Sequence, residues 1–136
     1  MARYMLDTNM CIYLMKNQPP HVAQRLEACF EGDVVLSAVT LAELEYGIAM
    51  SREPEAARRA LAALVARVPV LPLTSAAARA YGPIRAATRE RKADALDKLI
   101  AAHALAEGAI VVTNNVRDFA AYSGVSAEDW SVPPAA

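Results

Sequence analysis

Short apolar runs alternate along the chain with stripes at helical spacing. RYML at 3 to 6 stops at Asp7, and TNMCIYLMK then carries apolar residues at helical intervals, predicting strand, turn and helix. Beyond Pro19 and Pro20, Val22, Leu26, Cys29 and Phe30 share one stripe of a second helix that Gly32 ends. Val34 to Leu36 is a second buried strand, with Ser37 and Thr40 as cap candidates for the helix containing LAELEYGIAM. EAARRALAALVAR, 55 to 67, is a strong helix former. VPVLPL after it suits a sheet edge, since its prolines cannot donate to a central ladder. Residues 75 to 92 read as helix that Gly82-Pro83 should kink or break, and DALDKLIAAHALAEG as a helix from Asp94 to Gly108. AIVVT is the last clear strand. A turn at Asn114-Asn115, a short helical stretch and a marginal strand anchored by Trp130 follow, and 132 to 136 read as a frayed tail.

This alternation predicts an α/β fold: a central, mainly parallel sheet of four to five short strands, covered by helices on both faces through right-handed crossovers. The chain's 136 residues suit one domain, 1 to 136. An apolar fraction of 55% with 21% charged residues is ordinary globular composition and excludes disordered and disulfide-stapled classes. Cys11 and Cys29 sit in apolar surroundings without CxxC spacing or a neighbouring histidine, which predicts buried free thiols. No apolar run has membrane-spanning length and residues 1 to 6 lack the features of a secretion signal, so a cytoplasmic protein is expected.

The formal net charge of -1 is low for a polyanion binder, but the charges are segregated. Arg79, Arg85, Arg89, Arg91, Lys92 and Lys98 crowd one part of the chain, whereas Glu27, Glu31, Asp33, Glu43 and Glu45 make an earlier part acidic. The basic segment fits either a solvated helix face or an RNA-contacting surface that includes Arg79, Arg85, Arg89, Lys92 and Lys98.

In an open parallel sheet, sites gather at the carboxyl ends of the strands. Asp7 directly follows the first strand, Glu43 lies in the first turns after the second, Thr113 and Asn115 follow the last, and Asp97 lies in the opening turn of its helix. Clustered carboxylates without a partner histidine or cysteine suit Mg²⁺ or Mn²⁺, which prefer oxygen ligands. Each acid also has a structural explanation. Thr40-x-x-Glu43 fits a capping box, Asp94 with Asp97 fits a cap and a helix-dipole acid, and Asp7-Thr8 can cap the next helix. His103 reads as packed or partly exposed and His21 as solvent-facing. Tyr46, Tyr81 and Trp130 are either base-stacking or core and rim residues. P-loop, GxGxxG, GxSxG and HExxH motifs are missing, which removes several enzyme classes.

Together, MLDTNMCIYLMKN, LSAVTLAELEYG, LDKLIAAHALAEGAIVVTNN and RDF resemble the PIN-domain toxins of bacterial toxin–antitoxin modules, the VapC family, in order and spacing over nearly the whole chain. The resemblance implies a compact α/β/α endoribonuclease that is cytoplasmic, usually homodimeric, and neutralised by a VapB-type antitoxin. It implies that Asp7, Glu43 and Asp97 hold Mg²⁺, with Mn²⁺ as substitute, and that Thr113 and Asn115 form the polar turn of the site, with Thr8 in support. Many PIN domains place a fourth acid where Asn115 stands, leaving Asn115, Asp94 or Asp118 to complete the set. The branch it resembles acts on structured RNA, with initiator tRNA the best-known target, and the expected mechanism is hydrolysis by metal-activated water that leaves a 5′-phosphate on one product. The alternatives are a non-catalytic RNA- or protein-binding module on the same fold, and a metal-dependent phosphatase, against which the lack of a DxDxT-type motif argues.

Overall fold

The computed structural model describes residues 3–133, so Met1, Ala2 and residues 134 to 136 of the expected tail lie outside the described residues. The elements are β1 (Arg3–Leu6), α1 (Thr8–Lys16), α2 (Pro20–Glu27), β2 (Val34–Ser37), α3 (Ala38–Ala49), α4 (Pro54–Arg67), β3 (Val70–Leu71), α5 (Ser75–Ala87), α6 (Ala95–Glu107), β4 (Ala109–Val112), α7 (Val116–Ala120) and β5 (Ala127–Glu128). Five strands form one sheet in the order β3-β2-β1-β4-β5, and every pairing is parallel. The sheet is therefore wholly parallel, at the upper end of the predicted strand number.

The side-chain period of a strand divides the core in two. Leu6, Val34, Leu36 and Val112 face α1, α2, α3 and α4, packing on Met10, Val22, Leu44, Ile48, Leu61 and Leu64. Met5, Val35 and Val111 face the other way, onto Ile84 of α5, the Ile100–Ala104 stretch of α6, and Phe119 and Tyr122 around α7. The outcome is the expected three-layer α/β/α arrangement. Trp130 is fully buried in the first core, with its indole edge-to-face on Tyr4 at 5.2 Å and its N–H donated to Glu128. It lies beyond the final strand rather than inside it.

Several local expectations change. Helix α2 ends at Glu27, before the apolar stripe is complete, so Cys29 is only half-buried and Phe30 is 74% exposed. Cys11 is the buried thiol, and burial together with Asp7 pushes its pKa up. The strand expected over 68 to 73 shortens to Val70–Leu71, an edge position compatible with its flanking prolines. Helix α5 runs through Gly82-Pro83 to Ala87 instead of breaking there, then stops five residues before Lys92. His21 is half-buried rather than solvent-facing. Among the described residues no helix is long and apolar enough to cross a membrane.

Candidate metal-binding active site

The carboxyl ends of β1, β2 and β4 lie side by side because these strands are neighbours in register: Leu6 pairs with Leu36 on one side and Val112 on the other. Each strand passes directly into a helix or polar turn, so the next residues in sequence converge above one edge of the sheet.

Asp7 stands at that junction. It is the N-cap of α1, with an oxygen accepting from the Met10 N–H at 3.0 Å, and its own N–H donates to Val112. Only 6% of it is exposed, and burial pushes its pKa up to about 6 against the opposing pull of hydrogen bonds from Thr113 and Met10. Asp97 and Glu43 push it further the same way. A cap alone does not call for such burial, since solvated carboxylates cap helices well. The buried Thr113 hydroxyl bonds Asp7 and accepts from the Asn115 N–H at 2.9 Å, tying the β4 turn to the first acid.

Glu43 is on α3, but not in a capping box with Thr40. The cap of α3 is Ser37, whose hydroxyl accepts from the Val39 N–H, so Thr40 lies inside the helix and is buried. That removes the capping explanation for Glu43. Its carboxylate instead accepts from the Thr8 hydroxyl at 2.7 Å, bridging the starts of α1 and α3.

Asp97, in the first turn of α6, is half-buried, and its pKa is raised by burial first and then by Glu43, Asp94 and Asp118, with Arg91 opposing. Asp94 precedes α6 without a side-chain capping bond. It takes the Tyr122 hydroxyl, the Lys98 ammonium at 3.0 Å and the Arg91 guanidinium at 3.3 Å. Burial works against its charge, yet these three donors outweigh it and hold its carboxyl below the ordinary value. Lys98 is thereby withdrawn from the predicted RNA-contacting surface. It is 3% exposed, and its ammonium also donates to the carbonyls of Thr88 and Arg91. Asn115 is exposed and donates to Asp118 at 2.6 Å, so these two candidates for the fourth position form one polar pair. The Asn114 side chain joins the same rim, donating to the Tyr13 hydroxyl and accepting from Asn9.

Among the described residues, no three histidine, cysteine, aspartate or glutamate side chains stand close enough to close on a single ion. Asp7, Glu43 and Asp97 nonetheless lie near enough to raise the pKa values of Asp7 and Asp97. A donor set of carboxylate oxygens that disfavour one another's charge, two of them partly or wholly withdrawn from water, fits a hard divalent cation. Beside Glu43, a cleft of about 480 Å³ runs between α1, α3 and α4, lined by Ile12, Met15, Leu44, Gly47 and Ile48 among others. The exposed Tyr46 stands on the same helix, α3, and the exposed Met50 is its C-cap. Sequence reasoning did not foresee this cleft; the small Gly47 within an otherwise apolar helix was the available signal.

A parallel α/β/α sheet carrying acids at adjacent strand ends is the architecture of the PIN domain, whose family model matches residues 4–125. The chain is 42% identical to the tRNA(fMet)-specific endonuclease VapC of Shigella flexneri over 133 residues, covering 96% of this chain and all of that protein. Among solved structures, DNA-bound VapBC from Salmonella typhimurium superposes with a TM-score of 0.87 at 38% identity, over 96% of this chain and 99% of the other. VapBC2 from Rickettsia felis bound to a promoter DNA fragment does so with a TM-score of 0.86 at 30% identity, over 93% and 98%. The chain belongs to the PIN-domain family, in its VapC branch of ribonucleases.

Proposed function

We propose that the protein is a divalent-metal-dependent endoribonuclease of a toxin–antitoxin module, with Asp7, Glu43 and Asp97 holding Mg²⁺, or Mn²⁺ in its place. The observation that carries the metal is the buried Asp7 carboxylate, raised to about 6 and facing two further acids at the mouth of the sheet. When bound, the cation neutralises phosphate charge and makes water acidic enough to act as a nucleophile near neutral pH. The remaining work falls to this chain. The Met10 N–H and Thr113 aim Asp7, and the Thr8 hydroxyl aims Glu43. Asn115 and Asp118 form a polar rim able to hold water or a ribose hydroxyl, while Asp94 keeps Lys98 and Arg91 tethered beside Asp97. Hydrolysis adds water across the phosphodiester, breaks the P–O3′ bond, and leaves a 5′-phosphate on one product and a 3′-hydroxyl on the other.

Structured RNA is the substrate, initiator tRNA in particular; the support is the likeness to VapC of Shigella flexneri and Salmonella typhimurium, both tRNA(fMet)-specific endonucleases. Cleavage of that RNA in the cytoplasm arrests translation. The partner is a VapB-type antitoxin, as in the VapBC complexes it resembles, seated in the apolar cleft that ends at Glu43; the toxin itself pairs as a homodimer. The test is incubation of antitoxin-free protein, and of Glu43→Gln and Asp97→Asn, with total bacterial RNA in Mn²⁺ or EDTA. Discrete fragments from the parent alone, lost in EDTA, are expected. Equal fragmentation by the folded variants would refute the assignment of these acids.

A further inference from the structure

The basic segment between α5 and α6 is not a uniform face. Its charges divide into two groups. Lys98 and Arg91 are committed inward, to Asp94, to Asp118 and to backbone carbonyls. Arg85, Arg89 and Lys92 are exposed and have no acidic partner among the described ion pairs. With Tyr81 these three line a cavity of about 270 Å³, floored by Ala95 and Lys98 at the start of α6. The Arg85 guanidinium lies over the Tyr81 ring, 5.9 Å from its centroid, and donates to its hydroxyl at 3.3 Å, which presents a flat cationic wall. The loop carrying Arg89 and Lys92, residues 88 to 94, is pinned from beneath, because the Lys98 ammonium binds the carbonyls of Thr88 at its start and Arg91 in its middle.

We propose that this cavity is a phosphate subsite that grips the RNA backbone beside the scissile bond, an inference that rests on the nuclease reading above. Three exposed cations around one concavity, with no acid paired to them, offer an anionic phosphate a complementary seat. The cavity's size fits a phosphate with part of its sugar, and the Arg85–Tyr81 wall offers a stacking surface for the attached base. Position supports the same role. Ala95 and Lys98 flank Asp97 on α6, within roughly 5 Å of it along the helix axis. Arg91, which also lines the cavity, pairs with Asp94 and Asp118 at the rim of the acid cluster, so a strand held here lies beside that cluster. Arg79 and Lys98 play no part in the grip, the first lying outside the cavity lining and the second facing inward.

The experiment measures RNA binding by fluorescence anisotropy, with labelled transcribed initiator tRNA and an Asp7→Asn background that cannot cleave. Arg85→Ala/Arg89→Ala/Lys92→Ala is compared with Arg79→Ala between 50 and 200 mM salt. Losing the one gripped phosphate reduces the salt slope by about 0.7 to 0.9, so the affinity change across that range becomes roughly 3-fold smaller in the triple variant. Arg79→Ala leaves it unchanged. An unaltered slope in the triple variant, with the parent binding RNA and wild type cleaving it, overturns the subsite and leaves the nuclease standing. Failure of the parent to bind RNA, with wild type failing to cleave it, overturns both.

Discussion

Replacing Asp7 by asparagine should stabilise the protein while silencing it. The Asp7 carboxyl is 6% exposed, and its pKa is pushed from 3.8 to about 6, chiefly by burial. That rise is worth about 3 kcal/mol against the charged form in the folded state. The carboxyl's folded pKa is raised, so its stabilising contribution is complete below about pH 3.8 and lost as pH rises through 6. Asparagine keeps the shape and can still accept from the Met10 N–H, as asparagine is a good N-cap, but it never ionises. In urea unfolding with EDTA present, Asp7→Asn should therefore exceed wild type by up to about 3 kcal/mol at pH 8, and by about 1 kcal/mol or less at pH 4.5. Saturating Mn²⁺ should narrow the difference at pH 8 by stabilising wild type selectively. A variant that is less stable at pH 8, or a gain of equal size at both pH values, would refute the view that Asp7 is held charged against its surroundings.

Lys98→Met should destabilise the fold by about 3 kcal/mol in the same assay, because it strips a buried partner from Asp94 and from two carbonyls; Tyr122 and Arg91 still hold Asp94, which keeps the loss at the lower end for a broken buried pair. A loss below 1 kcal/mol would mean that Lys98 is solvated after all. Gly47→Leu should leave thermal stability unchanged or slightly higher, since a Cβ there meets nothing within 4 Å and leucine favours helix. By filling the apolar cleft, it should weaken binding of the cognate antitoxin at least tenfold in calorimetry; unaltered affinity would place the antitoxin elsewhere.

The sheet, and the placing of Asp7 and Thr113, were legible from sequence for one reason: each stands where an apolar strand stops, and parallel neighbours stop at the same level. Asp7, Thr113 and Asn115 followed from that rule without any knowledge of side-chain contacts, and Glu43 from its place in the first turns of the helix after β2. What sequence could not supply was set by distant packing. Ser37 and Thr40 are equally good caps in isolation, and the choice falls to Ser37 because β2 runs on to that residue. Lys98 read as one more surface cation in a basic run. Only the close packing of α5 on α6, with Asp94 one turn before it, turns its ammonium inward. Phe30 kept its place on an apolar stripe that the helix abandons at Glu27. Glycine and proline at 82 and 83 signalled a break, yet both sit on the exposed side of α5, where a missing N–H does not cost a buried hydrogen bond.

The central claim is that Asp7 and its neighbouring acids cut RNA with a divalent ion. Its most direct test is incubation of purified, antitoxin-free protein with transcribed initiator tRNA in Mn²⁺ and in EDTA, beside Asp7→Asn, with the product ends mapped. Cleavage at one position, leaving a 5′-phosphate and lost both in EDTA and in the folded variant, is the predicted result. Cleavage that persists in Asp7→Asn or in EDTA would contradict the account.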